Sequence, residues 1–158
     1  ILPTGNITVN RNTNSQAIIS GRMSVLSSPI IDVTGHFFSP DLSITAVLHG
    51  ASGTLTKNGV GEVGLSGANT YAGQTVVNDG FLIVDNSSAL GTTAGGTVVN
   101  SGAVLALRFG VDVPTEALTL AGTGQSSFGA LSSSFGPNSW AGNITLSSNA
   151  TISVDAGD

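Results

Sequence analysis

The chain has 158 residues, a formal charge of −5 and no cysteine, and it carries 22 Gly, 21 Ser, 17 Thr and 12 Asn. Charged residues make up only 8% against the usual quarter, yet hydrophobic residues reach 40% and the mean hydropathy is +0.33, which excludes disorder driven by low hydropathy. The four cations, Arg11, Arg22, Lys57 and Arg108, are scattered, which excludes a phosphate-binding patch; the absence of cysteine excludes disulfides and thiolate metal sites, and the apolar runs, such as 81–84, are far short of a bilayer span.

Thr, Val and Ile interspersed with Gly, Ser and Asn predict an all-β chain rather than helices. In the first part, strands are expected at 6–10, 17–20, 23–26, 29–33 and 43–48, broken by Gly21, Gly35 and Gly50. Residues 36–42 read as a protruding turn with two aromatics, Phe37 and Phe38, as possible surface contacts. Residues 1–52 do not phase by inspection onto the remainder of the chain and are read as a less regular, diverged start of the solenoid or as a cap.

From residue 53 the chain repeats. TLTKNG at 54–59, TVVNDG at 75–80 and TVVNSG at 97–102 share a pattern, and ALTLAG at 117–122 is a looser copy. Their glycines, Gly59, Gly80, Gly102 and Gly122, recur every 20 to 22 residues, and apolar runs at 81–84 and 103–107 follow two of them. A fifth copy, TLSSNA at 145–150, has Ala150 in place of the glycine and is followed by the apolar run 151–154. The wider interval before it is read as a loop inserted at 125–142, rich in Ser and Gly and containing Pro137 and Trp140.

Strand pairs hinged at glycine with a period near 21 predict the coils of a parallel β-solenoid. At about 4.8 Å per coil, some seven coils make a rod roughly 34 Å long. A β-sandwich also shows closely spaced strands, but nothing in it demands a turn glycine at this fixed interval.

Residues 55–82 resemble the autotransporter-associated beta strand repeat of bacterial surface and secreted proteins. Leu55, Lys57, Gly59, Gly61, Leu65, Ser66, Gly67, Asn69, Thr70, Tyr71, Gly73, Thr75, Val77, Gly80 and Leu82 all fall on its pattern, while Val63 and Gly64 depart from it. The resemblance implies a right-handed solenoid outside the cell and implies no activity. Asn69 and Thr70 are then expected to make turn bonds to backbone, an asparagine is expected to stack on equivalents in neighbouring coils, and Tyr71 is expected to plug a corner.

Candidate chemistry is sparse. Asp32, His36, Asp41 and His49 are close in sequence without metal-ligand spacing. Glu62, Asp79 and Asp85 sit at turn-like positions, and glycoside hydrolysis would need two carboxylates on one face at a defined separation. No G-x-S-x-G elbow occurs, and no G-G-x-G-x-D calcium repeat. The N-x-S/T strings at Asn6, Asn86, Asn143 and Asn149 are expected by chance in so Asn-rich a chain. Trp140 is read as a cover on the side of the stack, with contact to sugar or a partner as the alternative.

The expected function is therefore non-catalytic and extracellular, without metal or cofactor, and without nucleic-acid binding or membrane insertion of this segment. The chain begins at Ile1 and is read as a processed or excised piece. The resemblance between GNITV at 5–9 and GNITL at 142–146, with no charged cap at either end, suggests a rod that stacks head to tail on itself or serves as a stalk. The alternative is an adhesin module that meets glycans or host protein through 36–42 and 125–142; a polysaccharide-degrading solenoid is the third reading.

Overall fold

The computed structural model of the chain describes residues 5–10, 15–35 and 40–155. Phe37 and Phe38, together with His36, lie outside the described residues. The chain winds through seven successive coils. The first holds β1 (Ile7–Val9), β2 (Ala17–Ile19) and β3 (Arg22–Ser24), and the second β4 (Ile30–Val33), β5 (Leu42–Ile44) and β6 (Val47–His49). The third comprises β7 (Leu55–Asn58) and β8 (Glu62–Leu65), the fourth β9 (Thr75–Val77) and β10 (Phe81–Val84). The fifth adds a short third strand: β11 (Thr97–Val99), β12 (Val104–Arg108) and β13 (Asp112–Val113). The sixth repeats that arrangement with β14 (Leu118–Gly122), β15 (Leu131–Ser134) and β16 (Ser139–Trp140), and the seventh contains β17 (Ile144–Ala150) and β18 (Ile152–Val154).

The first strand of every coil joins one seven-stranded sheet and the second strand joins another, and every strand pair is parallel. This is a parallel β-solenoid. Register turns a linear repeat into columns. Ile7, Ile31, Lys57, Val77, Val99, Leu120 and Leu146 stand above one another in the first sheet. In the second sheet the column is Ala17, Leu42, Val63, Leu82, Leu105, Leu131 and Ile152. The inner coils of both columns are buried, and each aliphatic side chain so buried contributes about 1.5–3 kcal/mol. The single core is therefore a stack of like residues on like.

Two expectations change, and of the two readings of the first part the solenoid start is the one that forms. The pairings advance by 19 to 26 residues per coil, about 23 on average, because the early and late coils carry extra corner residues that the repeat at 54–122 lacks. Residues 5–50 are in phase: β1 and β4 pair into the first sheet, β2 and β5 into the second, since a solenoid column needs an apolar side chain at the right register and not a particular motif. Within 125–142, Leu131–Ser134 is a strand between β12 and β18, so the extra length sits on either side of it and not in one loop. Ala150 does stand opposite Gly122, across a bulge that absorbs the additional residues of β17.

Candidate functional site

The repeat motif builds a corner around one buried cation. Lys57 occupies a position that is Ile31 in the coil before and Val77 in the coil after, and only 1% of it is exposed. Its stem substitutes for an aliphatic side chain, while Nζ donates to the carbonyls of Asn58 (2.9 Å), Gly59 (2.6 Å) and Asp79 (3.0 Å). Those carbonyls belong to the sharp turn at Gly59 and to the equivalent turn one coil later, so the ammonium ties two corners together. Burial pulls the lysine down to about 8, and Asp79, then Asp32, Asp41 and Glu62, oppose that by favouring the charged form. The acids considered for catalysis thus converge on a structural lysine. Asp41 is buried and its Oδ2 accepts the Glu62 amide at 2.9 Å. Among the described residues no three His, Asp or Glu side chains gather in a metal-binding group.

Polar side chains inside the coils carry the remaining motif positions. Asn69 Oδ1 accepts the Leu48 amide (2.8 Å) and its Nδ2 donates to the Ala89 carbonyl (2.6 Å), so one side chain bridges the coils on either side. Thr70 is exposed, with its amide donated to the Leu48 carbonyl. Tyr71 is completely buried and its hydroxyl lies 2.6 Å from Thr75 Oγ1. The asparagine stack forms elsewhere, at the exposed corner: Asn100 donates to Asn78 (2.7 Å) and Asn78 to Asn58 (2.8 Å). The signal for this ladder is the asparagine in KNG, VNDG and VNSG, which stands one or two residues before each repeat glycine.

Thr97 stands one coil above Thr75 and donates to Glu116 Oε1 at 2.5 Å. Trp140 closes this region from the side: it is half-buried against the core, and its indole N–H donates to the Glu116 carbonyl at 2.9 Å. Burial pushes the Glu116 carboxyl up to about 7, with the Thr97 hydrogen bond opposing. Between pH 4.5 and 7 the folded chain therefore holds a proton that the unfolded chain has released, so stability falls as pH rises through that window. We expect the chain to be more stable at about pH 5 than at about pH 7.5, with a contribution of about 2 kcal/mol from this group. Glu116→Gln should flatten that slope in melts recorded across the range.

The outer face of the second sheet carries a different surface. Ile83, Val104 and Ala106 form a small apolar cluster there, with Phe81 packed on it and Phe128 edge-on to Phe81 at 5.3 Å. Ile83, Ala106, Phe81 and Phe128 floor a groove of about 240 Å³ whose walls include Glu62, Arg108, Ser134, Phe135 and Asp155. Arg108 makes a paired bridge to Asp85, Nε to Oδ1 and Nη2 to Oδ2, both 3.0 Å. Phe109 and Phe135, from successive coils, stack at 5.3 Å and stand 64% and 61% exposed. Sequence reasoning passed over this site because its parts are single residues from several coils; the signal available was the recurring Phe-Gly pair at 109–110 and 135–136.

Residues 55–84 match the family described as the passenger-associated-transport-repeat, which is the motif whose corner Lys57 organises. The chain is 34% identical over 141 residues to the adhesin BmaC autotransporter of Brucella suis biovar 1 (strain 1330), a match that covers 89% of this chain and 4% of that protein. The chain thus spans a small fraction of its relative's length. No solved structure matches it significantly. The chain is thus a parallel β-solenoid segment that carries this repeat and is similar to an autotransporter passenger region, displayed on the cell surface or secreted.

Proposed function

We propose that the chain is a non-catalytic rod segment of an adhesin passenger, which holds an adhesive outer face away from the cell. The observation that supports this most is the parallel pairing that runs through seven coils, with a solvent-facing aromatic groove laid across several of them. A continuous ladder makes a stiff spacer, and exposed aromatics beside charged groups make a contact surface. The adhesin relative points the same way. Beads coated with the purified chain should attach saturably to host cells or to extracellular matrix, and soluble chain should compete. Failure to attach to either, by chain that still shows a β-rich spectrum and cooperative melting, would leave a spacer without adhesive function.

A second reading has its own observation. Ile144, Leu146, Ile152 and Val154 belong to the last coil, and Leu146 and Ile152 lie in the inward columns, yet all four are exposed, Leu146 by 60%. Unpaired strand edges beside such a surface accept another strand. In this reading a further coil stacks on that face, whether it follows in the same chain or comes from a second copy, and light scattering of the purified chain across a concentration series should show growth that Leu146→Asp abolishes.

A further inference from the structure

The corner that Lys57 ties together also holds a chemically labile peptide. Asn58 is followed by Gly59, and both are half-buried, so water reaches them. Asparagine is among the thermally labile residues. Before a glycine it is open to one internal reaction, attack of the next backbone nitrogen on the side-chain amide carbon, because no Cβ stands in the way.

Three features of this corner favour that reaction. Lys57 Nζ donates to the Asn58 carbonyl at 2.9 Å, and a cation on that oxygen favours loss of the proton from the Gly59 nitrogen across the same peptide bond. The Asn58 side-chain carbonyl accepts from Asn78 Nδ2 at 2.8 Å, which draws electrons from the carbon under attack and stabilises the oxyanion that forms there. Asn58 is also the end member of the asparagine ladder. Among the described residues its own Nδ2, the leaving group, donates to nothing, and neither does the Gly59 amide. The neighbouring corners lack this combination. Asn78 and Asn100 both spend their Nδ2 groups in the ladder, and the residues after them are Asp79 and Ser101. Asp79 does precede a glycine, but the Gly80 amide is held by Asp79 Oδ1 at 2.8 Å. Nor can the fold dispense with Gly59: its φ is 77°, and a Cβ there would overlap the Val33 carbonyl of the coil before.

We propose that Asn58–Gly59 is a site of self-modification, at which the folded chain converts Asn58 through a succinimide to aspartate and isoaspartate. The Gly59 nitrogen bonds to Asn58 Cγ while the Cγ–Nδ2 bond breaks, and the Gly59 proton departs with Nδ2 as ammonia. Water then opens the ring. Addition at Cγ restores the ordinary peptide with an aspartate side chain, whereas addition at the main-chain carbonyl carbon leaves the backbone running through the side chain as isoaspartate. Water is the one co-reactant. Either product sets a carboxylate in register with Asp32 of the coil before. Isoaspartate also adds a carbon to the backbone of the turn whose two carbonyls Lys57 holds. The product is therefore more acidic than the parent chain and less stable.

The test is peptide mass spectrometry with electron-transfer fragmentation, which tells isoaspartate from aspartate, on purified chain kept at neutral pH and body temperature for several weeks. Labelling with protein isoaspartyl methyltransferase follows the same samples. Exchange of NH for O is expected at Asn58 at least about tenfold faster than at Asn78 or Asn100, with isoaspartate the larger share. Asn58→Gln should abolish the methyl-accepting species. Lys57→Met keeps most of the corner's volume and removes the cation, and should slow conversion at least about threefold, whereas a loosened turn by itself would speed it. If Lys57→Met does not fold, Asn78→Ala takes its place: it removes the donor to the Asn58 carbonyl at a surface position and should also slow conversion. An unchanged Asn58, equal conversion at the three asparagines, or faster conversion in the folded variant would overturn the inference.

Discussion

Gly73→Ala is expected to destabilise the chain by at least about 4 kcal/mol, whereas Gly102→Ala should cost only about 1 kcal/mol. The contrast runs against the usual reading of glycine, because Gly102 is the one with a left-handed backbone, at φ 93°. A methyl at Gly102 meets nothing within 4 Å, so only conformational strain is added. At Gly73 a methyl would overlap the Gly53 carbonyl of the coil below. The same clash recurs between Gly95 and Gly73, and between Gly53 and the Val25 carbonyl, so this corner is a glycine column along which successive backbones touch. Relief would require the coils to separate and the ladder to break. For a chain of this size the two substitutions should lower the melting temperature by about 10 °C or more and by about 3 °C respectively, and a Gly73→Ala protein that melts like the parent would show that the coils do not stack so tightly.

Lys57→Ala should cost about 4 kcal/mol, a large effect for a lysine. Two losses add. The stem leaves a void in an aliphatic column between Ile31 and Val77, and the carbonyls of Asn58, Gly59 and Asp79 lose the one donor they share. Lys57→Met separates the two losses, since it keeps most of the volume and removes the donor, and should cost about 2 kcal/mol. Urea denaturation of the three proteins at about pH 7 decides the matter. If alanine and methionine are equally mild, the ammonium is not what ties the two corners.

These two positions also show why some of the molecule could be read directly and some could not. Leu55, Val77 and Leu82 were legible as core because an apolar residue recurring at one place in each period has only the solenoid interior to face. Lys57 and Gly73 were legible only as members of a pattern. Why a lysine belongs in an aliphatic column, and why that glycine is needed without a left-handed turn, depends on which carbonyls the neighbouring coils place there. The asparagine stack shows the same gap: the sequence predicts backbone bonds for Asn69 and a stack by an asparagine it does not single out; Asn69 is buried and bridges two backbones, while Asn58, Asn78 and Asn100 form the ladder at the surface. The sequence predicts Trp140 as a side cover, but nothing in the spacing names its partner, the Glu116 carbonyl 24 residues earlier.

What the sequence determined by itself is the coil: β-branched residues set between glycines at a near-constant interval can satisfy backbone and core together only by stacking in parallel. The phase of residues 5–50, the two strands within 125–142 and the meeting of Glu62, Arg108, Phe135 and Asp155 along one groove were decided by tertiary structure alone. The reason is physical. Hydrophobic periodicity is local and survives in any short window, whereas a site on a solenoid face is assembled from residues about 23 apart, and their contact depends on the register that every intervening corner loop adjusts.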